Sequence, residues 1–264
     1  MANDKPKNND SIGRTFLVVF VLCLVCSIVV AGSAVGLRAQ QQEQKLLDKQ
    51  RNILDVAGLL KPDMTTAEIK AAYDSHIQPR LLDLKTAILE KSDGNFDLNN
   101  ALRRDETSIA LSPEQDLAKI RRRADMTEIY LVKDEHGKTT ELVLPIYGSG
   151  LWSMMYAFIS IDVDGVTSRG ITYYSHGETP GLGGEVDNPQ WRKQWVGKKL
   201  YNPEGAPVLK IVRGGAGDNP YGVDGLSGAT LTSNGVQHMF DFWLGDNGFG
   251  PFLKKVREGV LKDG

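Results

Sequence analysis

Three hydrophobic textures follow one another along the 264-residue chain. Residues 15–37, TFLVVFVLCLVCSIVVAGSAVGL, carry no charge over 23 positions between Arg14 and Arg38. As a helix this run is roughly 34 Å long and matches a bilayer core. It predicts a retained transmembrane helix behind a tail of residues 1–14. A secretory signal has a shorter apolar core, although Gly32 and Ala34 resemble its small-residue cleavage site. The second texture has helical spacing. Leu46, Leu47, Ile53, Leu54, Leu59 and Leu60 recur along one face until Lys61-Pro62 ends the pattern. A further helix is predicted from Thr65 or Thr66, where Thr65 with Glu68 fits a capping box, and Pro79 interrupts it. Residues 91–125 are polar and mixed, which predicts loops with a short helix from Ser112 to Arg123.

From Met126 the period changes to two. "EIYLVK", "DEHGK" and "ELVLPIY" read as strand, turn, strand, and "WSMMYAFISIDVDGVTSRGITYYS" repeats this around Asp164-Gly165. Near the end, Val236, Met239, Phe240, Trp243 and Leu244 return to helical spacing. The expected class is α+β: a transmembrane helix over 15–37, a helical membrane-proximal segment over 38–125, and an antiparallel-sheet domain over 126–264 closed by a C-terminal helix.

Composition changes this picture little. An apolar content of 41% and a formal charge of −2 support one large or two small globular domains and do not imply nucleic acid as a partner. The run Arg121, Arg122, Arg123 is balanced by neighbouring carboxylates and reads as a solvated helix face. Both cysteines, Cys23 and Cys26, lie within the apolar span on one helix face without further ligands, so they read as small packing residues. Lys5, Lys7 and Arg14 precede the span and Arg38, Lys45, Lys49 and Arg51 follow it, so charge does not decide its orientation.

The chemistry concentrates in two glycine-rich stretches. "DGLSGATLTS" at 224–233 places four hydroxyls at a helix start, with Ser227 expected as N-cap and Gly225 and Gly228 open to close approach. An ordinary capped helix is the alternative at this level. "SHGETPGLGGEV" at 175–186 puts His176, Glu178 and four glycines in a loop after a strand, which a purely structural turn also explains. Val186 stands where a dinucleotide fingerprint needs its last glycine, so a Rossmann site is not expected. The two stretches would suit a planar ligand, with Trp152 after Gly148-Ser149-Gly150 as an aromatic wall.

"SGAT" at 227–230 preceded by Asp224, "HGETPGLG" at 176–183, "YGSGLW" at 147–152 and one N-terminal span resemble the C-subunit family of the sodium-pumping NADH:quinone oxidoreductases. The G-subunit of the related Rnf complex shares the flavin domain and is the nearest alternative. The resemblance implies FMN joined through its phosphate to Thr230; Ser227 and the glycines, Gly228 among them, are expected to shape the phosphate cradle, and Ala229, Leu231 and Thr232 complete the cofactor-binding candidates of the motif. Leu182 and Trp152 are the expected ring contacts, with Glu178, Thr179 and Gly183 as polar contacts and His176 as a further candidate. Thr232 lies about 200° around the helix from Thr230, so both cannot face one phosphate. An unactivated threonine is a poor nucleophile, so a separate flavin transferase is the expected maturation partner; the resemblance implies that this enzyme is periplasmic, which would place the soluble domain in the periplasm. NADH and quinone would be bound by other subunits, and electrons would pass through the flavin between them. The span offers no ion-binding group for sodium beyond hydroxyl, thiol and backbone. A membrane-anchored serine hydrolase using Ser227 and His176 is the reading from another class, and Ala229 stands where its nucleophile elbow needs glycine.

Overall fold

The computed structural model describes residues 11–94 and 96–261 and forms two compact units, Met1–Asp48 and Lys49–Gly264. In the first unit, helix α1 (Ile12–Gly36) carries no charge after Arg14 in its first turn and none of its residues is buried, as a helix suited to a lipid environment requires. Lys5 and Lys7 lie outside the described residues. Helix α2 (Arg38–Val56) follows at once, and its last two turns belong to the second unit, where Ile53 and Leu54 are fully buried. It ends one turn before Pro62 in a Schellman arrangement, with Gly58 N–H on the Asp55 carbonyl and Leu59 N–H on that of Leu54.

Helix α3 (Thr66–His76) begins with the expected capping box at Thr65 and Glu68. It does not continue to Pro79. The chain turns into strand β1 (Ile77–Asp83), followed by β2 (Ile88–Lys91), a short helix α4 (Leu98–Leu102), β3 (Ser108–Ala110) and β4 (Arg122–Ala124). Strand β1 pairs with β5 (Met126–Lys133), so the division expected at residue 126 falls inside one sheet. Pro79 is tolerated there because β2 covers β1 only from Arg80 onward, which leaves the side without an N–H unpaired.

The helix expected from Ser112 to Arg123 is absent. The Asp116 carboxylate accepts the N–H groups of Ile120 and Arg121, an alternative to helical bonding, and Lys119 and Arg121 take positive φ. Nor do the three arginines form a solvated face. Arg122 pairs with Asp105, and Arg123 is 3% exposed with its guanidinium on the Asn247 carbonyl.

Strands β6 (Thr139–Ser149), β7 (Met154–Asp162) and β8 (Ser168–Ser175) complete a six-stranded antiparallel sheet in the order β2-β1-β5-β6-β7-β8. The expected turns are those at Gly137 and Gly165, both at positive φ. A 3-10 turn (Gly183–Asp187), helix α5 (Pro189–Lys193), the parallel pair β9 (Lys210–Val212) and β10 (Gly222–Asp224), and helices α6 (Thr230–Trp243) and α7 (Gly250–Arg257) follow.

Helix α6 lies against the end of β6, burying Val236, Met239, Phe240 and Trp243, the face its spacing predicts. The approach is very close. A Cβ on Gly235 would stand 2.5 Å from the Ser149 carbonyl oxygen, and one on Gly148 would stand 3.1 Å from Met239 Cβ. The Trp243 indole N–H bonds the Tyr147 carbonyl at 2.7 Å, locking the helix to the strand. This packing carries the first turn of α6 to the end of β6, where the turn bearing Trp152 begins.

Candidate functional site

The turn after β6, the loop after β8 and the start of α6 meet at Glu178. Its carboxylate accepts the N–H of Trp152 on Oε1 at 2.9 Å, and the N–H of Leu151 and the hydroxyl of Thr232 on Oε2 at 3.2 and 2.6 Å. Burial pushes this carboxyl up, but the bonds from Thr232, Trp152, Leu151 and Ser153 outweigh burial and hold it below the usual carboxylate range. Gly183 sits against the same cluster. A Cβ there would fall 2.5 Å from Thr232 Oγ1 and 2.9 Å from Glu178 Oε2.

The first turn of α6 differs from the expected one. Its N-cap is Ala229, with no side-chain cap, and Ser227 is an exposed turn residue two positions earlier. The reason is local: Ala229 N–H closes a turn onto the Leu226 carbonyl, with Gly228 at φ 72°, and the Ser233 hydroxyl turns back to accept the Leu226 N–H. Ser233 N–H makes an α-helical bond to the Ala229 carbonyl, so the amides of Thr230, Leu231 and Thr232 begin the helix without helical acceptors. Such amides and the helix dipole favour an anion. Thr230 is exposed at the head of this turn and Leu231 is 60% exposed, whereas Thr232 is 1% exposed and bonded to Glu178. The two threonines do face opposite ways.

An apolar surface surrounds this anion-favouring turn. Trp152 is 70% exposed, and Leu151 and Leu182 are also largely in solvent. Leu182 lies over Gly228, whose Cβ, if present, would stand 3.1 Å from Leu182 Cδ2. Leu151, beside Trp152 in the "YGSGLW" stretch, and Ser153, whose hydroxyl takes the Gly177 N–H at 2.6 Å, are site residues that sequence reasoning passed over. The apolar pair after a Gly-Ser-Gly turn was the legible signal for Leu151.

Two expected polar contacts are occupied elsewhere. Glu178 has both oxygens engaged within the protein. The His176 ring accepts the Glu178 N–H on Nδ1 at 3.2 Å, which leaves the proton on Nε2 to bond Asp187 at 2.8 Å. His176 is therefore a brace for its loop, and neither nitrogen is available to Ser227 as a hydrolase base. Thr179 is exposed, and its carbonyl accepts the N–H groups of Leu182 and Gly184 to form the turn. Asp224 takes the Ala216 N–H on its carboxylate at 2.6 Å and so orders the strand end before the motif. A separate cleft of about 440 Å³, lined by Asp55, Glu141, Arg169, Arg192 and Lys193 among others, contains none of these residues.

An uncapped helix start bordered by exposed apolar side chains fits a ligand with an anionic end and a flat apolar body. Fold and site together define a flavin-binding domain, and the sequence profile of the FMN-binding domain family matches residues 150–245, from the Trp152 turn through α6. The chain is 65% identical over 266 residues to the C-subunit of the Na(+)-translocating NADH-quinone reductase of Yersinia pestis, with 100% of both chains covered. It is 55% identical over 256 residues to the same subunit of Vibrio alginolyticus, covering 96% of this chain and 98% of the relative. The crystal structure of Shewanella oneidensis NqrC superposes with a TM-score of 0.76 at 35% identity, covering 82% of this chain and 100% of that one. The chain belongs to the C-subunit family of the Na(+)-translocating NADH-quinone reductases, whose members are components of an oxidoreductase complex.

Proposed function

We propose that this chain is the membrane-anchored flavoprotein subunit of a sodium-translocating NADH:quinone oxidoreductase, with FMN joined through a phosphoester to the Thr230 hydroxyl. The observation that carries the attachment site is the contrast within one turn of α6: Thr230 is exposed beside free amides, while Thr232 is buried with its hydroxyl on Glu178. When bound, FMN supplies one- and two-electron transfer. The first-turn amides of α6 hold the phosphate, and Leu182 and Trp152 flank the ring. Gly228 leaves room for Leu182 to close over the motif.

His176 is engaged on both ring nitrogens and offers Thr230 no base, and an unactivated threonine hydroxyl is a poor nucleophile. Attachment therefore calls for a separate flavin transferase acting on the outer side of the bacterial inner membrane. Helix α1 is the single-pass anchor, and its length and the uncharged run from Thr15 to its end support that role. The soluble unit then faces the periplasm, and other subunits bind NADH and quinone.

Thr230→Val and Thr232→Val, expressed with the maturation machinery, test the site. Flavin fluorescence on a denaturing gel and the added FMN in the intact mass are expected to disappear in the first protein and persist in the second. A fluorescent Thr230→Val band, or a flavin peptide mapped to Thr232, would overturn the assignment.

A further inference from the structure

Glu178 is 5% exposed, and the bonds that favour its ionised form come from Thr232, Trp152, Leu151 and Ser153. Neutral dipoles hold it: the backbone N–H groups of Leu151 and Trp152, the backbone of Ser153 and one hydroxyl from α6. The backbone closes tightly on the carboxylate at two glycines: a Cβ on Gly150 would overlap Oε1 and one on Gly183 would reach 2.9 Å from Oε2. Its loop also carries Leu182, so one side chain joins the three segments that surround Thr230. A charge screened so little by solvent acts strongly on anything beside it.

Building on the FMN reading above, we propose that Glu178 is a positioning residue that clasps the Trp152 turn and the Leu182 loop to α6 and whose fixed negative charge lowers the reduction potential of the flavin. It touches no ligand in this role, because its oxygens are committed to Leu151, Trp152 and Thr232. An electron arriving near a fixed negative charge is disfavoured, so the ionised carboxylate favours the oxidised cofactor. Glutamine has the same size without the charge and turns an NH₂ group toward donors that need an acceptor.

The test is spectroelectrochemical titration of the full-length, flavin-loaded chain in detergent, as wild type, Glu178→Gln and Glu178→Asp. The glutamine variant is expected to have a higher potential, with the reduced-to-oxidised ratio at fixed applied potential raised about tenfold, which is about 59 mV for one electron. The aspartate variant keeps the charge and is expected to recover most of the wild-type potential. A glutamine variant at the wild-type potential, or equal shifts in both variants, overturns the charge effect. Gel fluorescence and intact mass are read alongside: wild type without flavin on Thr230 defeats the FMN reading itself, whereas attached flavin with an unmoved potential defeats only the role of Glu178. If the glutamine variant does not fold, Thr232→Val decides. It removes the α6 end of the clasp, so chymotryptic cleavage after Trp152 is expected to accelerate, and cleavage at the wild-type rate overturns the proposal.

Discussion

Helices α3 and α6 both begin beside a threonine, and the two starts are chemically opposite. At α3, Thr65 is the N-cap: its hydroxyl takes the Glu68 N–H at 3.3 Å while the Glu68 carboxylate takes the Thr65 N–H at 2.7 Å. That start is closed by the chain's own side chains. At α6, Thr230 is one register later, as the first helical residue, where it is exposed, and the N-cap Ala229 supplies no side-chain bond to the first amides. The hydroxyl that turns back, that of Ser233, holds the preceding turn through Leu226. One residue of register thus decides whether a threonine near a helix start caps it or stands exposed beside open amides. A structural start has its amides satisfied locally, and a start reserved for a ligand leaves them open.

The largest expected effect is all-or-none: Thr230→Val loses covalent flavin completely, whereas Thr65→Val keeps it, as gel fluorescence of the two proteins will show. Loss of flavin in the Thr65 variant would break the contrast between the two helix starts. Gly183→Ala comes next. It places a Cβ 2.5 Å from Thr232 Oγ1 and 3.0 Å from Glu178 Cβ, so it is expected to cost about 1–3 kcal/mol in denaturant unfolding, and an unchanged midpoint would mean the cluster is slack. Thr65→Ala removes the capping box at α3 and is expected to cost about 1 kcal/mol with flavin content unchanged. The smallest effect belongs to Ser227→Ala, expected within about 0.5 kcal/mol of wild type because Ser227 caps nothing in α6. A loss as large as that at Thr65 would restore Ser227 as a cap.

Local patterns were legible wherever neighbours in sequence supply the interaction. The apolar span, the Thr65–Glu68 box, the turns at Gly137 and Gly165 and the buried face of α6 all appear where spacing predicts them. Misreadings arose where a distant partner or a competing side chain intervened. Residues 77–83 became a strand because β5 offered a partner across more than forty residues, and Ser112–Arg123 left the helix because Asp116 bonded the backbone locally. Arg123 looked like a surface charge until its partner, the Asn247 carbonyl, was supplied by a residue 124 positions away. In the candidate site, the positions expected for His176, Glu178, Ser227 and Thr232 each take a different part in the structure, Ser227 no longer capping α6 and Thr232 turning to Glu178. His176 and Glu178 face their own loop and neighbouring segments, not an open pocket.

By itself, the sequence determined which stretches have the period of a helix or a strand, where chain direction reverses, and which motif crowds hydroxyls at a helix start. These follow from interactions over a few residues, which periodicity and capping chemistry encode directly. Tertiary structure alone decided that Thr232 is closed off and Thr230 left open. That choice depends on a carboxylate 54 residues before Thr232 and on glycines at 148 and 235 that let α6 descend onto β6, contacts whose partners no local spacing can specify.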